Sequence, residues 1–106
     1  MKNSADRMIR EKTVEQKLVS AVKAKGGLCP KLVSPGMDGL PDRMLLFPHG
    51  RITFVEVKAP GKKPRALQEH RMEQLQLLGF RVFILDHPGQ IPGILEEAYG
   101  ECNHKA

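Results

Sequence analysis

Two apolar runs, 42–47 (DRMLLF) and 51–58 (RITFVEVK), are separated only by Pro48-His49-Gly50. So short a connection, with a glycine to take a left-handed turn position, points to an antiparallel hairpin. Along the second run Ile52 and Phe54 point one way and Thr53, Val55 and Val57 the other, because strand side chains alternate. A strand apolar on both faces is covered on both sides, yet this one ends in Glu56 and Lys58, which share a face. Pairing Phe47 with Arg51 across the loop brings Asp42 opposite Glu56. Directly opposed strand residues have Cβ atoms about 4.5–5.5 Å apart. Two carboxylates at that distance repel unless a cation or a shared proton lies between them. A connection one residue longer would break the alignment; as written, it gathers two acids and a lysine at one end of a hairpin, as a divalent-metal site would.

The remainder of the 106-residue chain reads as a single domain. Residues 1–12 form a polar N-terminal arm. Thr13 and Gln16 have capping-box spacing and begin a helix with Leu18, Ala21 and Val22 as its stripe and Gly26-Gly27 as its end. Leu28–Val33 is a short strand interrupted by Pro30, and 34–41 (SPGMDGLP) is a loop. After a second loop at 59–64, Arg65–Leu78 is a helix with Leu67, Arg71, Leu75 and Leu78 on one side and Gly79 as its stop. Residues 80–85 form a strand parallel to 51–58, since a crossover helix joins them. A last helix over 91–99 and a polar tail over 100–106 complete an α/β chain of order αβββαβα.

A net charge of +5 favours a polyanionic partner, with solubility as the alternative explanation. The absence of Trp and a single Tyr leave little material for a base-stacking platform. Cys29 and Cys102 lie too far apart for a disulfide framework or a paired metal motif, which fits a reducing compartment. The N-terminus lacks the apolar core of a signal peptide and no stretch reaches membrane-spanning length, so a soluble, cytoplasmic protein is expected. His49, His70, His87 and His104 do not have zinc-ligand spacing. Nucleophile elbows, phosphate-cradling glycine loops and dinucleotide fingerprints are missing, which removes the footing for hydrolase triads, kinases and hydride transfer.

Asp42 and Glu56 are of the right type to hold Mg²⁺ or Mn²⁺, hard ions that take oxygen ligands, and the Val57 carbonyl is a further candidate ligand. Lys58 beside them can orient or activate an attacking water, or neutralise charge growing on a phosphate. The ordinary alternative is a cross-strand salt bridge among the three at a solvated sheet end. Glu15, taken alone, is explained by the dipole of the first helix, and Gln68 as a solvated side chain in the first turn of the second. Lys62, Lys63 and Arg65 cluster directly after Lys58. Arg51, Arg43, Lys2, Arg7, Arg10 and Lys12 are further candidates for phosphate contacts.

With Pro41-Asp42, Glu56-Val57-Lys58 and this element order, the chain resembles the PD-(D/E)xK nuclease superfamily. Within it, the chain is similar to the VRR-NUC family, in particular its small stand-alone members from phages and prophages. The similarity runs from Thr13 to Glu97. It takes in Glu15, the approach GMDGLPD, the basic-proline loop followed by Leu67-Gln68, and the Leu-Gly-Phe at 78–80. The resemblance implies a single PD-(D/E)xK domain over 13–99, a mixed sheet flanked by helices, that hydrolyses DNA phosphodiesters with Mg²⁺ or Mn²⁺. It implies that Glu15, Asp42 and Glu56 are the acidic residues, Lys58 the catalytic lysine and Gln68 the helix-borne glutamine. It also implies a homodimer cutting branched DNA in the manner of Holliday-junction resolvases, since two sites on a two-fold axis can nick opposed strands. Two rivals are a nuclease indifferent to DNA structure and a DNA-binding subunit that keeps the fold without the chemistry.

Overall fold

The computed structural model describes residues 10–100. Its elements are α1 (Glu11–Ala24), β1 (Arg43–Phe47), β2 (Arg51–Val57), α2 (Ala66–Leu77), β3 (Arg81–Leu85), a 3-10 turn (Pro88–Gln90) and α3 (Ile91–Tyr99). β2 is the central strand, antiparallel to β1 and parallel to β3. Phe47 pairs with Arg51, as the loop length requires. In that loop His49 joins Gly50 in the left-handed region.

The two faces of the sheet are covered by different helices. Leu45, Phe47, Val55, Val57 and Leu85 meet Val14, Leu18 and Val22 of α1 and Ile91, Ile94, Leu95 and Ala98 of α3 in one apolar core. On the opposite face Phe54 packs edge-to-face on Phe80 at 5.2 Å, and α2 contributes its buried residues Gln68 and Met72. The result is a mixed sheet flanked by helices. Among the described residues no helix is long and apolar enough to cross a membrane.

Three local features differ from the sequence reading. First, α1 begins at Glu11 with Arg10 at its N-cap and no side-chain cap, so the Thr13–Gln16 capping box does not form. The earlier start makes Thr13 an interior helix residue, and Val14, fully buried, joins the stripe of Leu18 and Val22. Second, the segment expected as the first strand runs along β1 as isolated bridges, Leu28 to Leu46 and Lys31 to Arg43. Leu28 and Leu46 exchange hydrogen bonds, Pro30 accepts from Met44, and Leu32 donates to Asp42. Pro30 has no N–H to return, so the ladder is one-sided at its middle and the segment remains a broken edge. Third, α2 is rotated relative to the expected stripe: Leu67 and Leu78 are exposed, and Gln68 and Met72 face the sheet.

Where α1 ends, Gly27 lies against the hairpin. A Cβ there would come within 2.5 Å of the Phe47 ring and 2.8 Å of the Leu46 carbonyl oxygen. The carbonyl belongs to a strand that cannot shift cheaply. We expect Gly27→Ala to cost about 1–3 kcal/mol, read as a lower urea midpoint at unchanged slope.

Candidate active site

Glu56 is the last residue but one of β2, and its side chain is 1% exposed. The strand's alternation turns it away from the main core and toward α2. Gln68, in the first turn of α2, donates from Nε2 to Glu56 Oε2 at 2.7 Å. The same amide accepts through Oε1 from the Arg65 backbone N–H at 2.9 Å. This is half of a capping box; Arg65 has no acceptor with which to complete it. Lys58 Nζ stands 3.2 Å from the same Oε2. Glu56 Oε1, by contrast, is buried without a hydrogen-bond partner among the described residues. Buried polar atoms are almost always paired, so an orphan oxygen on a carboxylate marks a place where a cation would be welcome.

Asp42 lies just before the first ladder pair, Arg43 with Val55. Its Oδ2 accepts from the Val57 N–H at 3.0 Å, which fixes it across from Glu56. The Lys58 N–H donates the other way, to Leu85 of β3, at 2.9 Å. N–H and C=O of one planar trans peptide point in opposite directions, so the Val57 carbonyl faces the Asp42 side of β2. Two carboxylates, a peptide carbonyl and an ammonium thus share one end of the hairpin.

Burial, followed by the charge of Asp42, raises the Glu56 pKa above the ordinary glutamate value; the hydrogen bond and charge of Lys58, and the Asp42 backbone, pull it partway back. The ion pair with Lys58 therefore does not fully compensate the buried charge, which is unlike an ordinary surface salt bridge.

Glu15 does not join this pair. Its Oε2 receives Arg43 Nε at 2.9 Å, and Arg43 Nη1 donates to the Cys29 carbonyl at 2.8 Å. Among the described residues no three His, Cys, Asp or Glu side chains gather as a metal cluster. Arg43, expected among the phosphate-contacting residues, is turned inward by these two acceptors. Burial pushes the nearby Cys29 thiol up to about 11, Arg43 opposing the rise and Glu15 adding to it, so the cysteine is no ready thiolate nucleophile. Lys62, Lys63 and Arg65 are exposed, and the first two line a cleft with Ile84, the β3 partner of Glu56. Arg51 begins β2, five residues and about 16 Å of strand from Glu56. Arg10 and Lys12 are exposed near the start of α1, while Lys2, Arg7, Cys102 and His104 lie outside the described residues. The Arg43–Glu15 pair joins residues 28 apart, and no local pattern links them.

A solved VRR-NUC domain superposes on this chain with a TM-score of 0.77 at 32% identity, over 84% of this chain and 97% of that one. Over 80 residues the chain is 49% identical to "Putative nuclease p44" of Acyrthosiphon pisum secondary endosymbiont phage 1, covering 76% of this chain and 86% of the relative. The chain belongs to the VRR-NUC family. No family model matches it. As a VRR-NUC protein it has the PD-(D/E)xK fold, and the hairpin end carrying Asp42, Glu56 and Lys58 is where the Pro-Asp and Glu-x-Lys elements of that pattern meet.

The raised Glu56 pKa has a consequence for stability. In the folded state this carboxyl holds its proton to higher pH than in the unfolded chain. It therefore lowers stability as pH rises from about 4.3, the ordinary glutamate pKa, through the raised folded value. Without divalent ions, Glu56→Gln should melt higher than the parent at neutral pH. The advantage should shrink to nothing as pH falls below that window, as seen by calorimetry across a pH series.

Proposed function

We propose that this protein is a divalent-metal-dependent DNA endonuclease that acts on branched DNA as a homodimer. The observation that carries the reading is the orphaned Glu56 Oε1, buried beside Asp42 while Lys58 and Gln68 occupy the other oxygen. Membership of the VRR-NUC family and the name of the phage relative support nuclease chemistry.

The donor set suits a hard ion: carboxylate oxygens from Asp42 and Glu56, with the Val57 carbonyl on the same side, would hold Mg²⁺ or Mn²⁺. Glu15, the third acid of the family pattern, would reach such an ion only on release from Arg43. Bound there, the ion would neutralise phosphate charge and make water a better nucleophile near neutral pH. Gln68 fixes the Glu56 carboxylate so that Oε1, not Oε2, faces the reaction. Lys58 Nζ, anchored on Oε2 and 18% exposed, can point its remaining donors at a phosphate oxygen or at the attacking water. Water adds to phosphorus as one P–O ester bond breaks, and the lysine lowers the cost of the charge that accumulates.

Lys62, Lys63 and Arg65 would bind the backbone next to the cleaved phosphate, and Arg51 a more distant one. Arg43 contributes indirectly, through Glu15. Contacts of this kind position DNA without reading its sequence. Selectivity for branched DNA would then come from the placement of two such sites in a dimer.

The decisive experiment is a Mg²⁺ titration of cleavage on a four-way junction and on a linear duplex, with oligomer mass measured in parallel. Preferential, metal-dependent cutting of the junction by a dimer is expected; equal cutting of both would leave a nuclease without structural preference. Lys58→Ala and Asp42→Asn should each reduce cleavage by at least about 10²-fold. Activity that survives either change would mean the site is assigned wrongly. Independently, Mn²⁺ should raise the melting temperature of the parent protein by mass action and leave that of Asp42→Asn unmoved.

A further inference from the structure

Asp42 precedes the β1–β2 ladder, so strand pairing alone does not hold it at its distance from Glu56. The loop before it, 34–41, is pressed onto α2. Gly39 adopts φ +87, and a Cβ there would stand 2.8 Å from Leu67 Cγ and 3.1 Å from both the Leu67 carbonyl oxygen and Arg71 Cγ. The positive φ and the proximity of helix backbone both require glycine. Beside this contact Arg71 Nε donates to the Asp38 carbonyl at 2.8 Å, and its Nη1 donates to Gln74 Oε1 at 2.9 Å. One arm of the guanidinium is thus tied to its own helix and the other to the loop. Among the described residues no carboxylate pairs with Arg71, so its role is not that of an ordinary surface ion pair.

The positions along the chain give this contact its meaning. Asp42 follows Gly39 by three residues, and Pro41 between them is fully buried. Gln68, which holds Glu56, is adjacent to Leu67. The contacts form a closed loop of constraints: α2 to the loop through Arg71 and Gly39, the loop to Asp42, Asp42 to Val57 of β2, and Glu56 of β2 back to α2 through Gln68. Like charges at Asp42 and Glu56 push this circuit open. We propose that Arg71 is a positioning residue that, with the close approach at Gly39, sets the Asp42–Glu56 separation and thereby the affinity of the site for its divalent ion. The inference rests on the metal-site reading above and extends it to a residue outside the site.

The test uses the full chain and Mn²⁺ as the probe. Binding is measured by calorimetry without DNA, alongside the Mg²⁺ concentration that gives half-maximal cleavage and the melting temperature of the metal-free protein. Arg71→Met keeps an unbranched stem of similar bulk and loses the donors. It should bind Mn²⁺ about three- to tenfold more weakly, the range of an ordinary exposed hydrogen bond acting on the ligand only through the loop. The half-maximal Mg²⁺ concentration should rise in step while the metal-free melting temperature holds. Arg71→Lys, which can still donate to the Asp38 carbonyl, should recover most of the affinity. Unchanged Mn²⁺ affinity in Arg71→Met, with Asp42→Asn binding poorly, would overturn the positioning role and leave the metal site standing. Unchanged affinity in both variants would remove the metal site and this inference with it. A weaker affinity matched by a general drop in melting temperature would also count against positioning, because it would mean loosening of the whole fold.

Discussion

One buried carboxylate organises the functional end of this molecule. Glu56 has almost no contact with solvent, a raised pKa, one oxygen bound by Gln68 and Lys58, and the other buried without a well-formed hydrogen bond among the described residues. A buried carboxylate oxygen left without a partner costs about 1–3 kcal/mol, a sizeable share of the roughly 5–15 kcal/mol by which a domain is stable. A leucine at this position would make the sheet end an ordinary piece of core. Retaining an acid there, with a second acid across the hairpin, leaves the protein locally frustrated in a way that a divalent ion between them would relieve. Local conflict of this kind is where function and folding commonly part company.

The fold supplies each neighbour of Glu56 from a different element, and each is held by an interaction that does something else as well. Asp42 is held by the Val57 N–H, which would otherwise be unpaired where the β1 ladder stops. Lys58 continues β2 past its last paired residue because its N–H reaches Leu85 of the parallel strand, and that same peptide turns the Val57 carbonyl toward Asp42. Gln68 both caps α2 and grips Glu56. Parallel pairing of β3 is therefore part of the site as well as part of the core, and the crossover helix that parallel pairing requires is the element that brings Gln68.

The parts legible in the sequence were those set by short-range counting. Three loop residues fixed the hairpin register and hence the Asp42–Glu56 juxtaposition, and the bounds of α3 followed from its local pattern. What local patterns could not show were competitions decided by tertiary contact. Thr13 and Gln16 carry a valid capping signal, but the helix continues past them to Glu11. Pro30 leaves its segment paired yet broken, which neither "strand" nor "loop" describes. The leucine spacing of α2 points to a stripe through Leu67, Leu75 and Leu78, whereas the buried face carries Gln68 and Met72; only the acid waiting on β2 makes burial of Gln68 favourable. The partnership of Glu15 with Arg43 joins α1 to the residue beside Asp42, and neither residue announces the other.

That partnership bears on how many cations the site could use. Glu15 is neutralised by Arg43, so the charge left facing a phosphate is that of Asp42 and Glu56 less that of Lys58, a net single negative charge. One divalent ion would convert this to a single positive charge, matched to one phosphodiester. A second ion would leave an excess of positive charge in a partly buried setting, where uncompensated charge is expensive, unless Arg43 withdrew and freed Glu15. The charge at this end of the hairpin therefore depends on one guanidinium, which in this structure lies on Glu15.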